Sequence, residues 1–245
     1  MKNIKITIQY DGKNYAGWQS QKNANSIQVT LEKAIKNVTG EKVNLIGSGR
    51  TDAGVHSLGQ VANFRTNSSI AINRYRNALN NNLPDDIRII GAEEVDFEFH
   101  SRFDAISKRY KYVIYNRPVL NPINRDYSYH VIKKLNMEEI QASLGYFVGS
   151  HDFQSFMAAK SKIHTGVRTI SNIEIRKKDE LIEIIFEGKS FLRHMIRIIV
   201  GTLIYIGHGK IKKEDIPMII KSKNRRIAGP TAPAQGLFLE RVYYE

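Results

Sequence analysis

The residues best placed by type and spacing to do chemistry are a lone carboxylate and a lone buried cation. Gly49-Arg50-Thr51-Asp52-Ala53-Gly54-Val55-His56 sets Asp52 in a tight turn between two glycines, with Arg50 two residues before it. The runs on either side, Val43 to Ile46 and Gln60 to Phe64, read as strands. A carboxylate at such a loop tip can meet a substrate, because glycine lets another backbone or a ligand approach closely. The alternative is an ordinary surface turn in which Asp52 caps its own backbone.

Arg197 sits inside the apolar run Met195-Ile196-Arg197-Ile198-Ile199-Val200, and Arg193 falls four residues earlier, on the same face of a helix. A guanidinium in that setting is costly unless a carboxylate offsets its desolvation. Asp52 is a candidate, and the pairing would keep it ionised. Arg197 could instead snorkel to the helix edge or pair with a structural acid such as Glu183. The stretch Arg109-Tyr110-Lys111-Tyr112 interleaves cations and rings, which suits base stacking beside phosphate contacts. Simple sheet packing of alternating tyrosines would look the same. His56, Arg168 and the basic runs Lys210 to Lys213 and Lys221 to Arg226 read as solvated faces.

Composition narrows the function classes. There is no cysteine, so disulfides, thiolate nucleophiles and cysteine-zinc sites are excluded. The seven histidines are scattered without metal-ligand spacing, and no Walker or dinucleotide-binding glycine loop occurs. No metal and no cofactor are therefore expected. Basic residues number 37 against 24 acidic, a net charge of +13, the footprint of either a phosphate-rich partner or a lysine-rich surface. The chain opens directly into the alternating strand Ile4-Lys5-Ile6-Thr7-Ile8, without a leader pattern, and no apolar run reaches bilayer length. The expectation is a soluble, cytoplasmic protein with no membrane partner.

The elements that must position these residues follow from periodicity. Ile27, Leu31, Ala34, Ile35 and Val38 predict a helix ended by Gly40. A second helix runs through Ile72, Tyr75, Ala78 and Leu79, and Ile87 to Ile90 reads as a short strand. Lys108 to Tyr115 alternates strongly, with Tyr110, Tyr112 and Ile114 on one face. Asn136 with Glu139 predicts a capping box for a helix reaching Val148. Thr169 to Ile175 and Leu181 to Phe186 form a strand pair, and Phe191 to Ile206 predicts a long buried helix. A short helix spans Asp215 to Ser222, and the Pro- and Gly-rich loop Gly229 to Gly236 precedes a last strand, Leu237 to Tyr243. This pattern predicts an α+β fold in two halves, residues 1–105 carrying the Asp loop and 106–245 carrying the tyrosine strand and the arginine helix.

With these motifs in order, the chain resembles the tRNA pseudouridine synthase A family. The Asp52 octapeptide is similar to that family's catalytic motif, and the resemblance covers nearly the whole chain. Tyr10-Asp11-Gly12 with Gly17-Trp18-Gln19 matches its opening, and Phe99-His100-Ser101-Arg102-Phe103 its middle. Lys108 to Tyr112, His151-Asp152-Phe153, Arg168-Thr169-Ile170, Phe191 to Arg197 and Ala234-Gln235-Gly236-Leu237 match later motifs. Departures fall at Val29, Ser57, Asn63 and Met157, none of which removes a catalytic group.

The resemblance implies a pseudouridine synthase fold: two α/β subdomains sharing a mixed, mainly antiparallel sheet covered by helices, with the active-site cleft between them. It implies an isomerase that converts uridine to pseudouridine at positions 38–40 of the tRNA anticodon stem-loop, acting as a homodimer without a cofactor. Asp52 matches the nucleophile, Arg197 the arginine that pairs with it, and Tyr110 the residue stacked on the target base. Arg50 matches a residue that helps extrude the base, Leu237 an apolar pocket residue, and Arg168 is carried as a further substrate-binding residue. The carboxylate could attack the base or ribose, or stabilise developing positive charge. A non-catalytic RNA-binding protein and an aspartate-nucleophile hydrolase are the competing classes. The first is disfavoured by the joint presence of Asp52, Tyr110 and Arg197, the second by the lack of a second acid or metal signature near Asp52.

Overall fold

The first strand shows how this chain builds its core: Lys2–Tyr10 (β1) alternates, and Ile4, Ile6 and Ile8 are fully buried. The structure is a computed structural model describing residues 1–21, 24–159 and 165–245. It divides into two units, 1–106 with 238–245, and 107–237. The fold is α+β. Among the described residues no helix is long and apolar enough to cross a membrane.

In the first unit, helix α1 (Ile27–Thr39) starts where the Ser26 hydroxyl accepts from the Val29 N–H, and Gly40 ends it at φ +75° with its N–H on the Lys36 carbonyl. It buries Ile27, Leu31, Ala34 and Ile35 in one cluster with the β1 isoleucines. Strand β2 is only Ile46–Gly47; the expected strand at 43–45 does not form. Leu45 is instead held by α1 side chains, its carbonyl accepting from Gln28 and its N–H donating to Glu32. β3 (His56–Thr66) pairs antiparallel with β1 and with β2. Helix α2 (Ile72–Asn80) buries Tyr75 and Leu79. Strand β4 (Ile87–Val95) runs on past the expected Ile90, because β1 templates it and Lys5 opposite Glu93 forms a 2.9 Å ion pair.

In the second unit, β5 (Ser107–Asn116) carries β6 (Tyr129–Val131) on one side in parallel. Helix α3 (Met137–Ser143) relaxes into a 3-10 turn at Leu144–Phe147 rather than continuing to Val148. Its capping box is half made. Asn136 accepts from the Glu138 and Glu139 N–H groups, but its own N–H goes to Gly207 and Glu139 takes Lys213 at 2.8 Å. β7 (Gly149–Asp152), β8 (Val167–Lys178) and β9 (Leu181–Gly188) complete an antiparallel run with β9 beside β5.

Helix α4 begins at Met195, not Phe191, and ends at Gly207. His194 before it has φ +63°, a left-handed residue that breaks the helix, so Arg193 is not one turn back on the face of Arg197. Helix α5 (Ile216–Ser222) has Pro217 in its first turn. The last strand, β10 (Leu237–Tyr243), corrects the expected span 106–245. Phe238 and Leu239 pair in parallel with His56 and Ser57 of β3, so residues 238–245 belong to the first unit.

Candidate active site

Asp52 stands in a loop whose neighbours on both sides are bolted to buried groups. The Thr51 hydroxyl bonds the Tyr10 phenol at 2.8 Å, and the Thr51 carbonyl accepts from the Trp18 N–H. On the other side, the Gly54 N–H reaches the Tyr15 carbonyl, and the turn is closed by the Val55 N–H on the Asp52 carbonyl. Upstream, Gln60 takes the Ser48 hydroxyl and donates to the Gly49 carbonyl. Burial pushes the Tyr10 phenol up to about 12, so it is a neutral donor or acceptor at any working pH. Tyr15, bonded to Asp86 at 2.6 Å, is pushed up by burial and by that carboxylate.

Glycine is required where the bracing chain passes the loop. Gly17 has φ +97°, and a Cβ there would lie 2.5 Å from the Thr51 carbonyl and 3.1 Å from the Asp52 main chain. Gly12 has no room for a Cβ beside the Val55 carbonyl.

His56 is not a solvated residue. It is 2% exposed and stacks on Phe238 at 4.8 Å. Its Nδ1 is met by the Gly12 N–H at 3.1 Å and by Asp11 Oδ1 at 3.0 Å. A neutral Nδ1 accepts from Gly12, whereas a protonated one donates to Asp11. Arg50 is exposed, and its Nε–H donates to Gln19 at 2.9 Å; Gln19 donates in turn to Gln28 of α1. Periodicity could not find this relay, because its members belong to different elements.

In the second unit, Tyr110 is buried opposite Phe186 and meets Phe191 edge-on at 5.3 Å. Two residues on, the Tyr112 hydroxyl donates to the Pro233 carbonyl at 2.8 Å, and its ring fills the space a Cβ on Gly236 would need. Burial raises the Tyr112 phenol, opposed by the positive charge of Arg197. Arg197, in the first turn of α4, exchanges two bonds with one residue. Its Nε–H donates to the Ala232 carbonyl at 2.8 Å, and its carbonyl accepts from the Ala232 N–H. The loop before β10 therefore brings Arg197, Tyr112 and the approach to buried Leu237 together, with Tyr110 beside Tyr112 on β5.

Arg168 is not part of that group. It lies on β8, with β9 between it and the tyrosine strand. It donates to the Thr165 and Val167 carbonyls, and burial lowers its pKa. The cations interleaved with the tyrosines also have structural work. Arg109 meets Glu174 at 3.0 Å and Glu187 at 3.4 Å, and Lys111 meets Glu183 at 3.0 Å. Cross-strand ion pairs thus hold both cations of that strand within the sheet, and Glu183 is engaged by Lys111. Among the described residues no cluster of three or more His, Asp or Glu side chains is placed to hold a metal ion.

Comparison with known proteins decides the family. The tRNA pseudouridine synthase family matches residues 6–104 and 144–245. The chain belongs to that family. Full-length relatives agree. The chain is 52% identical over 244 residues to the tRNA pseudouridine synthase A of Acetivibrio thermocellus and 50% to that of Thermoanaerobacter sp., each covering 100% of both chains. It is 48% identical to tRNA pseudouridine synthase A 2 of Clostridium tetani, with 99% of each chain covered. Among solved structures, an archaeal box H/ACA sRNP Nop10-Cbf5 complex matches at 11% identity and TM-score 0.38, over 92% of this chain and 59% of that one, a likeness too distant to carry an argument.

The protein is accordingly an isomerase acting on tRNA, with the pseudouridine synthase fold. The matched family segments contain Asp52, Arg168, Arg197 and Leu237, whereas Tyr110 falls in the interval between them. Tyr10, Gly12, Gly17, His56 and Ala232 are the supporting residues that sequence reasoning did not single out for a role. The tyrosine and glycine of the opening motif were the available signal.

Proposed function

We propose that this tRNA pseudouridine synthase acts in the cytoplasm on uridines at positions 38–40 of the anticodon stem-loop, as a homodimer, with Asp52 as nucleophile. The observation that carries the reading is the bracing of the Asp52 loop through buried Thr51 and through the Gly49 carbonyl, which holds a carboxylate in place before substrate arrives. A stacked base must first leave its helix, at a cost of a few kcal/mol. Contacts from a chain of net charge +13 to the tRNA phosphates offset that cost. Arg50 fills the gap in the stack, Tyr110 stacks on the flipped uracil, and Leu237 forms an apolar wall of the pocket. Arg168 holds the substrate backbone.

Asp52 attacks as the C1′–N1 bond breaks, its electron pair leaving with the uracil. The base turns so that C5 bonds C1′, Asp52 is released, C5 loses its proton and N1 gains one. The product is an isomer, and no oxidant, reductant or net water enters. Arg197 supplies the partner cation of that carboxylate.

The test uses tRNA tritiated at uracil C5, because conversion releases that hydrogen. Asp52→Asn should abolish release while leaving tRNA affinity within about threefold, since it preserves shape and removes the charge. Release at a rate near wild type would overturn the assignment. Mapping pseudouridine in tRNA from cells lacking the protein tests the positions; pseudouridine retained throughout the anticodon arm would refute them.

A further inference from the structure

The loop that holds Arg197 is itself held by a residue with no assigned role. Residues 228–233 lie along α4 over two glycine contacts. Gly201 has no room for a Cβ beside the Pro230 carbonyl, and a Cβ on Gly229 would lie 2.5 Å from the Thr202 N–H nitrogen. The Gly229 N–H donates to the Thr202 hydroxyl at 2.9 Å, which in turn donates to the Ile198 carbonyl. One helical turn before Gly201, on the same face, is Arg197 with its two bonds to Ala232. The other side of the loop is gripped by Arg225. One arm of its guanidinium donates to the Gly229 carbonyl at 2.8 Å and the Ala228 carbonyl at 3.4 Å, and the other to the Thr231 hydroxyl at 3.1 Å.

These acceptors are all neutral, and burial lowers the arginine's pKa. Among the described residues this half-buried cation bonds to neutral oxygens of one loop and acts as a brace: its planar fork spans three acceptors that a single ammonium cannot.

We propose that Arg225 is a positioning residue for the isomerisation, holding loop 228–233 so that Ala232 fixes the guanidinium of Arg197. The inference rests on the reading of Arg197 as the functional arginine. Arg225 acts through Arg197 and makes no contact with tRNA.

Two measurements on Arg225→Gln test this. At saturating tRNA, kcat should fall about tenfold or more while KM for tRNA stays within about twofold, because orientation is lost and binding is not. In ¹⁵N spectra, the Arg197 Nε–H, donated to Ala232 in the native protein, should exchange with water at least about tenfold faster. Arg225→Lys should behave like Arg225→Gln, and guanidinium ion at non-denaturing concentration should restore part of the kcat of Arg225→Ala. If those variants fail to fold, Thr231→Val removes one acceptor of the brace and should show the same split more mildly.

A kcat within twofold of wild type overturns the proposal, as does a rise in KM at unchanged kcat, which would make Arg225 a tRNA contact. Unchanged exchange of the Arg197 Nε–H overturns it whatever the activity. Full activity in Arg197→Ala would instead remove the reading of Arg197, leaving the exchange measurement to decide whether Arg225 holds it.

Discussion

Gly17→Ala is the sharpest perturbation of the Asp52 loop, because it acts through the backbone and removes no functional group. Two penalties act at Gly17. Its φ of +97° is one that L side chains rarely adopt, and a Cβ would sit 2.5 Å from the Thr51 carbonyl. Contacts below 3.0 Å are essentially never seen and ordinary ones begin at 3.4 Å, so the 50–52 backbone must retreat by between half an ångström and one ångström. The Asp52 carboxylate moves with it. A displacement near 1 Å in a catalytic group costs up to about 100-fold in rate, so kcat should drop about 10- to 100-fold. Backbone strain and overpacking together should cost about 2–4 kcal/mol, which for a chain of this length lowers Tm by roughly 5–15 °C.

Gly40→Ala separates the two penalties. Gly40 shares the positive φ, at +75°, but has nothing within 4 Å of the added Cβ. It should lose about 1 kcal/mol of stability and no activity. The assay is tritium release at saturating tRNA for both variants, with thermal unfolding measured in parallel. Gly17→Ala turning over within about twofold of Gly40→Ala would refute the argument that loop placement limits catalysis.

Three further outcomes follow from the same geometry. Tyr10→Phe changes alkaline stability: the phenol titrates at about 12 in the fold against its ordinary 10.0. The stabilisation is complete below pH 10 and is lost as pH rises through 12, because the unfolded chain sheds its proton first. Wild type should therefore lose about 2–3 kcal/mol more than Tyr10→Phe between pH 9 and 12 in urea unfolding, and parallel curves would contradict the assigned burial. His56→Ala removes the stack on Phe238 and the acceptor for the Gly12 N–H, and should cost about 2–4 kcal/mol in the same unfolding experiment; a change below about 0.5 kcal/mol would show that this buried contact is idle. Finally, tRNA affinity should fall steeply and log-linearly with salt, by slightly less than one power of salt concentration per phosphate contacted, and a flat response would contradict a phosphate-anchored complex.

What the sequence determined by itself was local. The alternation of Ile4, Ile6 and Ile8 and the helical spacing from Ile27 to Val38 with its glycine stop each bury one face, and the apolar run after Met195 buries a helix nearly all round, whatever lies opposite. A carboxylate between two glycines was equally legible, and so was the family, because its motifs are contiguous. Periodicity, however, names a face and never its partner.

Only the tertiary structure could return β10 to the first unit, since Phe238 and His56 are 182 residues apart in the chain and meet through a parallel ladder. It gave Arg109 and Lys111 cross-strand ion pairs, because folding lays β9 and β8, which carry their glutamates, beside the tyrosine strand. It started α4 only after His194, where a left-handed residue overrides good helix spacing. And it revealed how Asp52 and Arg197 are held. The groups that fix them (Tyr10, Trp18 and Gln60 for the first, Ala232 for the second) are hydrogen-bond partners brought close by folding, and hydrogen bonding leaves no period in a sequence.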